Sequence, residues 1–179
     1  QLKEMGIKDI SVYDPRLDYD RPLKNVTLQE NTKPKKYHIG YVAGVFDLFH
    51  IGHLNMFKRA KEQCDYLIVA VSTDELVAYK NKQPIIPFEE RAEIVGALKC
   101  VDKVVPQVNM NKFEAWEKYH FDAMFVGDDW KGTEKWNGYE KQFAKVGVDI
   151  VYFPYTKEIS SSILAEKIKG KNQVDSHEL

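Results

Sequence analysis

The fold prediction begins from residues 44–53, which read GVFDLFHIGH. This stretch follows a run rich in β-branched and aromatic residues, Tyr37–Val45. It leads into Leu54–Cys64, where apolar residues recur every three or four positions. That period predicts an amphipathic helix, so the stretch lies at a strand-to-helix turn. The free backbone N–H groups at the start of a helix favour an anion.

Two histidines stand three residues apart in this stretch. His50 and His53 fall on one side of the first helical turn. Gly52 lies between them, and we expect it to let a ligand approach the backbone closely. The GxxxxGK[ST] and GxGxxG phosphate loops are both absent from the sequence. The pattern predicts a triphosphate site that uses imidazoles where a P-loop uses lysine.

Outward from this junction, the chain alternates between apolar runs of strand length and segments with helical periodicity. Strands that are apolar along their length, each followed by an amphipathic helix, predict a parallel sheet covered on both faces. The expected fold is α/β, a doubly wound, Rossmann-like parallel sheet with helices on both faces and a ligand beyond the carboxyl ends of its strands. The predicted strands are Tyr37–Val45, Tyr66–Ser72, Val101–Val105, Ala123–Val126 and Ile150–Phe153.

Three parts of the chain are expected to differ in organisation. Residues 1–36 are rich in charge and in X-Pro pairs, which predicts an N-terminal arm or linker, or the tail of a preceding domain. Residues 37–170 form the α/β domain, and residues 171–179 a frayed tail. Because the chain begins with Gln1, we expect it to be trimmed or a piece of a longer polypeptide.

Composition narrows the classes of function. The 26 basic and 27 acidic residues give a net charge of −1, which argues against a nonspecific nucleic-acid binder. No apolar run is long enough to cross a bilayer, and no signal-peptide pattern opens the chain. Cys64 and Cys100 are interpreted as free thiols in a reducing compartment, with a single disulfide as the alternative. The prediction is a cytoplasmic protein without a membrane partner.

With its surrounding motifs, the stretch resembles the HxGH nucleotidyltransferase superfamily over Tyr41–Lys169. HxGH alone indicates only the superfamily, which includes adenylyl-transferring members. STDE at residues 72–75 and GDDW at residues 127–130 are similar to the cytidylyltransferase branch, glycerol-3-phosphate cytidylyltransferases in particular. The other matching motifs are Arg59-Ala60-Lys61, Glu90-Arg91 and Val101-Asp102.

The resemblance implies a reaction of CTP with an alcohol phosphate, glycerol 3-phosphate as the first choice, giving a CDP-alcohol and pyrophosphate. It also implies Mg²⁺ arriving with CTP, no dedicated protein metal site, and a homodimer. It implies that His50, His53 and Lys82 are catalytic. The residues implied in nucleotide binding are Val45, Phe46, His50, Gly52, His53, Lys82, Asp128, Trp130, Thr156, Ile159, Ser160 and Ser161. The residues implied in acceptor binding are Asp47, Lys80, Arg91 and Lys112.

These residue types suit the implied chemistry. A phosphomonoester has a second pKa of about 6, so the nucleophile is already largely ionised at neutral pH. The protein must therefore supply orientation, positive charge and hydrogen bonds to the phosphate oxygens rather than a strong base. Trp116, Trp136 and the tyrosines are interpreted as packing residues.

The sequence departs from the branch in two places and leaves alternatives open. The closing loop reads YTKEIS at residues 155–160 instead of RTEGIS, and Lys99 replaces an arginine. Lysine keeps the charge but loses the planar fork that grips phosphate in two places. The acceptor is therefore open between isomers of glycerol phosphate, other polyol phosphates and aminoalcohol phosphates. An adenylyltransferase and a degenerate nucleotide-binding module are the alternative functions.

Overall fold

A five-stranded sheet organises the computed structural model, which describes residues 34–78, 83–154, 156 and 159–174. The predicted N-terminal arm lies outside the described residues as far as residue 33, as do residues 175–179. The strands are β1 (Tyr37–Gly44), β2 (Cys64–Ser72), β3 (Lys103–Gln107), β4 (Ala123–Gly127) and β5 (Asp149–Phe153). The helices are α1 (Ile51–Gln63), α2 (Asp74–Ala78), α3 (Phe88–Gly96), α4 (Lys112–Tyr119), α5 (Glu134–Ala144) and α6 (Ser161–Val174).

The strands are all parallel, in the order β3-β2-β1-β4-β5. In the register, Gly44 pairs with Val71 and Val42 pairs with Phe125. The connections change direction at β1 and β4, so the carboxyl ends of these two strands border the crevice in which doubly wound folds bind their ligands. The predicted fold class is confirmed.

Two apolar layers cover the sheet because successive residues of each strand point to opposite faces. On one face, Val42 of β1 packs with Phe57 of α1 and Val95 of α3. On the other, Tyr41 packs with Trp136 and Phe143 of α5, and Phe113 of α4 packs against this cluster. Helices α1 and α3 therefore lie on the opposite face of the sheet from α4 and α5.

The element boundaries differ in places from those predicted. β2 begins at Cys64 because that residue pairs with Tyr37. β3 begins at Lys103, after a turn in which Asp102 N–H donates to the carbonyl of Leu67. The run Ser160-Ser161-Ser162 predicts a serine cap before α6, and Ser160 Oγ does accept from Ile163 N–H at 3.2 Å. Helix α6 continues to Val174, beyond the expected boundary at residue 170.

Two sequence-based expectations concern cysteines and membranes. Cys64 and Cys100 are both free thiols, as predicted. None of the helices in the described part of the chain has the length and apolar character needed to span a bilayer.

Candidate functional site

The loop between β1 and α1 stacks the two imidazoles. The ring centroids of His50 and His53 lie 3.8 Å apart, with 27° between the planes. His50 is the N-cap of α1, and its Nδ1 accepts from Gly52 N–H at 3.1 Å. A neutral imidazole that accepts at Nδ1 carries its proton on Nε2, so Nε2 of His50 is a donor.

The glycine of the motif makes room for the histidine beside it. A Cβ on Gly52 would lie 2.8 Å from Cε1 of His50, closer than real side chains approach. The sequence interpretation assigned this space to a ligand, and the structure assigns it to the His50 ring. Gly52 is needed because the cap and the stacked ring occupy the same side of the helix start.

His53 is packed more deeply than His50. Its ring lies against Phe46 and Phe49, with centroids at 5.3 Å and 5.4 Å. Its buried Nδ1 has no hydrogen-bond partner within the described ranges. Burial is the main cause that lowers the pKa of His53 to about 4, the charge of His50 adds to it, and Asp47 opposes it. Burial also lowers the pKa of His50. Both rings are therefore neutral near pH 7 in the unliganded protein.

Backbone strain is concentrated in the same loop. Phe46 has φ of 55° and Leu48 has φ of 45°, and both carry side chains that disfavour this region. Such residues cost on the order of 1–3 kcal/mol each and cluster at functional sites. The Phe46 ring is buried against Phe57 at 4.9 Å, which holds the strained backbone in place. Phe46 thus supports His53 from within the core, although the resemblance had implied a nucleotide contact.

Asp47 connects the loop to two distant segments. Its carboxylate accepts from the N–H groups of Leu48 at 3.0 Å, Ile85 at 2.8 Å and Ile86 at 3.0 Å. Its backbone carbonyl accepts from Ser161 Oγ at 2.6 Å. Asp47 was expected to bind the acceptor, and the structure shows its carboxylate bonded to backbone N–H groups. It positions the β1–α1 loop, the segment before α3 and the start of α6.

Arg91 is buried behind the loop, with 1% of its surface exposed. Its guanidinium donates to the carbonyls of Val45 at 2.6 Å, Ser72 at 2.9 Å and Ile86 at 2.8 Å. It also forms a salt bridge with Asp74 at 2.5 Å. Arg91 was expected to contact the acceptor, and the structure shows its donors directed to groups of the protein. It ties the ends of β1 and β2 together.

A cavity of about 150 Å³, here called the imidazole cavity, opens beside the stacked rings. It gathers several predicted residues from the β1–α1 junction and from the start of α6. Arg59 was named only as part of a motif, yet it lines this cavity. His50, His53, Met56 and Arg59 recur every three residues, a signal that was available in the sequence. The lining residues are His50, Gly52, His53, Met56, Arg59, Gly127, Phe153, Pro154, Thr156, Ile159 and Ser161.

A second cavity of about 220 Å³, here called the aromatic cavity, lies on the sheet face covered by α4 and α5. Val45 and Trp130, implied in nucleotide binding, line it together with Lys112, implied in acceptor binding. Its lining residues are Ala43, Gly44, Val45, Ser72, Gln107, Met110, Lys112, Met124, Phe125, Val126, Trp130, Lys135, Trp136 and Tyr139.

Sequence reasoning missed several residues of the aromatic cavity. Trp136 was interpreted as a packing residue. It is buried in the core, with 7% of its surface exposed, and it also lines the cavity. Tyr139 stands one helical turn further along α5. Ser72 and Gln107 meet in the buried floor, where Ser72 Oγ donates to Gln107 Oε1 at 2.8 Å. The i, i+3 spacing of the aromatic residues was the available signal.

The remaining predicted residues have varied placements. Lys80 and Lys82 lie outside the described residues, as do Tyr155, Lys157 and Glu158. Asp128 is exposed in the short 3₁₀ turn after β4, and Lys99 is exposed before β3. Ser160 serves as the cap of α6.

A doubly wound parallel sheet with the two motif histidines at the start of its first helix agrees with the resemblance to the HxGH nucleotidyltransferases. A solved structure agrees on the fold: the lipopolysaccharide core biosynthesis protein from Thermoplasma volcanium is 24% identical, with a TM-score of 0.58, over 69% of this chain and 99% of that one. That likeness concerns the fold alone.

Sequence comparison then identifies the family. Residues 41–167 match the cytidylyltransferase-like family. A glycerol-3-phosphate cytidylyltransferase of Bacillus subtilis (strain 168) is 36% identical over 134 residues, covering 71% of this chain and 94% of that protein. An FAD synthase of Thermococcus kodakarensis (strain ATCC BAA-918 / JCM 12380 / KOD1) is 47% identical over 128 residues, covering 69% and 83%. The chain belongs to the cytidylyltransferase-like family and is a nucleotidyltransferase. The predicted superfamily and enzyme class are confirmed.

Enzymes of this family generally use a divalent metal together with the nucleoside triphosphate. Within the described residues, no three His, Cys, Asp or Glu side chains are grouped so that they surround a common point. The carboxylate of Asp47 is bonded to three backbone N–H groups. Mg²⁺ is usually bound by one or two carboxylates together with the phosphates of a nucleotide, so its arrival with CTP stays a prediction.

Proposed function

We propose that this protein transfers CMP from CTP to an alcohol phosphate and releases pyrophosphate. The observation that carries the proposal is the stack of His50 and His53 at the N-terminus of α1, inside a cavity that also contains Arg59, Thr156 and Ser161. Cytidylyltransferases among the relatives support the same reaction class.

The imidazole cavity suits the triphosphate. Nε2 of His50 is a donor, and the N-terminus of α1 has a positive dipole end. Arg59 adds a guanidinium, and Thr156 and Ser161 add hydroxyl groups. We propose that Lys82 completes the set. Mg²⁺ bound to the phosphates would neutralise part of their charge. His50 and His53 then hold the oxygens of the α-phosphate and stabilise the charge that develops there.

The aromatic cavity suits the acceptor, and we propose that Val45 and Trp130 of its lining lie next to the nucleotide. The linings of the two cavities come next to each other at the end of β4, where Val126 lines the aromatic cavity and Gly127 lines the imidazole cavity. An in-line displacement needs the attacking and leaving oxygens on opposite sides of the transferred phosphoryl group. We propose that Lys112 and Lys80 hold the acceptor phosphate. One of its oxygens forms a bond to the α-phosphorus as the bond to pyrophosphate breaks.

The same scaffold supports one alternative, transfer of AMP from ATP. The FAD synthase relative, at 47% identity, is the observation that supports this alternative. The STDE and GDDW stretches at residues 72–75 and 127–130 favour CTP. The two functions differ in nucleotide and not in the residues that stabilise the transferring phosphate.

The test is pyrophosphate release from CTP or ATP with a panel of alcohol phosphates. We expect turnover with CTP and at least one alcohol phosphate. Turnover with ATP should be lower by about a hundredfold or more, since the contacts to the base differ. A His50→Asn variant should lower turnover by about a hundredfold to a thousandfold while it retains the helix cap. Faster turnover with ATP would establish the alternative, and CTP binding without turnover for any acceptor would indicate a binding module.

We further propose that residues 37–170 act as the nucleotidyltransferase domain of a cytoplasmic homodimer. The family resemblance supports this organisation. Sedimentation of the purified chain at several concentrations measures the association directly, and a monomer at all concentrations would contradict it.

A further inference from the structure

We propose that the aromatic cavity selects an uncharged polyol phosphate whose carbon chain is longer than that of glycerol. This inference rests on the proposed function, since it names the acceptor class of the same reaction. It follows from the charges, the aromatic wall and the size of the cavity.

The charges in the cavity match a phosphate and oppose an ammonium group. Lys112 opens α4 and Lys135 lies in the first turn of α5, so each side chain lies beside the positive end of a helix. None of the described residues that line the cavity is Asp or Glu. An aminoalcohol phosphate would bring a cation to a wall that carries lysines and no carboxylate, which Coulomb repulsion disfavours. The charges therefore favour a phosphate on an uncharged alcohol.

An aromatic wall faces these polar groups. The ring of Trp136 meets Tyr139 edge-on, with centroids at 5.5 Å, and lies 6.4 Å from Trp130. Flat rings bury the C–H faces of a carbon chain, while their polar tips remain available for hydrogen bonds. An aromatic wall also binds quaternary ammonium groups. The lysines in this cavity thus favour the neutral chain.

The floor supplies partners for hydroxyl groups. Ser72 and Gln107 are buried and form a hydrogen-bonded pair in the cavity floor. The Nε2 of Gln107 reaches the carbonyl of Asn109 at 3.2 Å. Hydroxyl groups of a bound polyol gain partners here, and a site that hydrogen-bonds a substrate hydroxyl discriminates strongly against analogues that lack it.

The volume of the aromatic cavity is larger than a three-carbon acceptor would fill. It measures about 220 Å³, against about 150 Å³ for the imidazole cavity. A cavity holds a water once it exceeds about 10–15 Å³, so the aromatic cavity has room for several water-sized groups. A glycerol chain would leave part of the space beside Met110 and Val126 to water. A pentitol chain fills more of that space and covers more of the aromatic wall.

The experiment measures kcat/KM with CTP and Mg²⁺ for glycerol 3-phosphate, ribitol 5-phosphate, phosphocholine and flavin mononucleotide. We expect ribitol 5-phosphate to exceed each of the others by about tenfold or more. A preference for glycerol 3-phosphate or phosphocholine overturns the inference and leaves the proposed function standing. A preference for flavin mononucleotide also overturns the inference, because the aromatic wall would then select a planar ring system rather than a polyol chain. Absence of CTP turnover with every acceptor overturns both.

Filling the cavity provides the second test. Met110→Phe should lower the ratio of kcat/KM for ribitol 5-phosphate to kcat/KM for glycerol 3-phosphate about tenfold. Met110→Leu, which conserves volume, is the matched control and should keep the wild-type ratio. Val126→Ile fills the same space from β4 and should shift the ratio in the same direction if Met110→Phe fails to fold. Equal losses for both acceptors in the filled variants contradict the inference.

Discussion

The imidazole rings of His50 and His53 are stacked 3.8 Å apart, and one of them caps the helix that carries the other. Both rings have pKa values lowered by burial, so a polyanion entering the cavity meets neutral rings, with Nε2 of His50 as a donor, rather than two fixed charges. The arrangement resembles an oxyanion hole in its physics: preorganised donors in a poorly hydrated place act most strongly on charge that develops during the reaction.

We expect His50→Asn and His53→Asn each to lower kcat by about a hundredfold to a thousandfold. Removal of one preorganised donor from a developing oxyanion has an effect of this size. Pyrophosphate release under saturating CTP and acceptor measures it.

The choice of asparagine separates catalysis from folding. Asparagine is a good N-cap, so His50→Asn should keep α1 stable, whereas His50→Ala should also lose about 1 kcal/mol of stability. If His50→Asn retained activity within tenfold of the wild type, the electrostatic role of that ring would be wrong.

The pKa of His53 predicts how stability depends on pH. Its value falls from an ordinary 6.5 to about 4 in the folded protein. Between these values the unfolded chain binds more protons, so the free energy of unfolding decreases as the pH falls through this window. The loss amounts to at most about 3 kcal/mol for this residue. Urea denaturation between pH 4 and pH 7 measures it.

A substitution isolates the contribution of His53. In His53→Asn the free energy of unfolding should vary less steeply with pH in the same window, because the buried titrating group is gone. The lowered pKa of His50 leaves a smaller slope of the same sign. An unchanged slope in His53→Asn would contradict the assignment of the titration to this ring.

We expect Arg91 to contribute to the stability of the fold rather than to acceptor binding. Arg91→Met leaves the Asp74 carboxylate without its partner and the carbonyls of Val45 and Ser72 without their donor. Breaking a buried charged network in this way destabilises by about 3–5 kcal/mol. Chemical denaturation measures the change. Lys99→Met, at an exposed position nearby in sequence, is the control and should stay within about 0.5 kcal/mol of the wild type.

Ser161 should affect the nucleotide site through Asp47. Its hydroxyl donates to the Asp47 carbonyl and also lines the imidazole cavity, so Ser161→Ala loosens the start of α6 against the β1–α1 loop. We expect kcat/KM for CTP to fall about fivefold to tenfold, the equivalent of one hydrogen bond. Ser162 is exposed, and Ser162→Ala is the matched control. Equal effects of the two substitutions would show that the contact has no role in catalysis.

Local sequence determined much of this protein. The alternation of apolar strands and amphipathic helices predicted the doubly wound sheet, because both periods are written in neighbouring residues. The spacing of His50, Gly52 and His53 predicted a turn that gathers two imidazoles. Ser160 predicted the cap of α6 because capping depends on residues within one helical turn.

Only the tertiary structure decided what Asp47 and Arg91 do. Asp47 accepts from Ile85 and Ile86, and Arg91 donates to Val45, all residues far away along the chain. The aromatic cavity likewise combines the ends of β1 and β3 with the aromatic residues of α5. Such contacts depend on strand order and on the face to which each helix returns, and local periodicity contains no information about either. The sequence therefore determined which groups bear the chemistry, and the packing across the sheet decided which of them face a substrate.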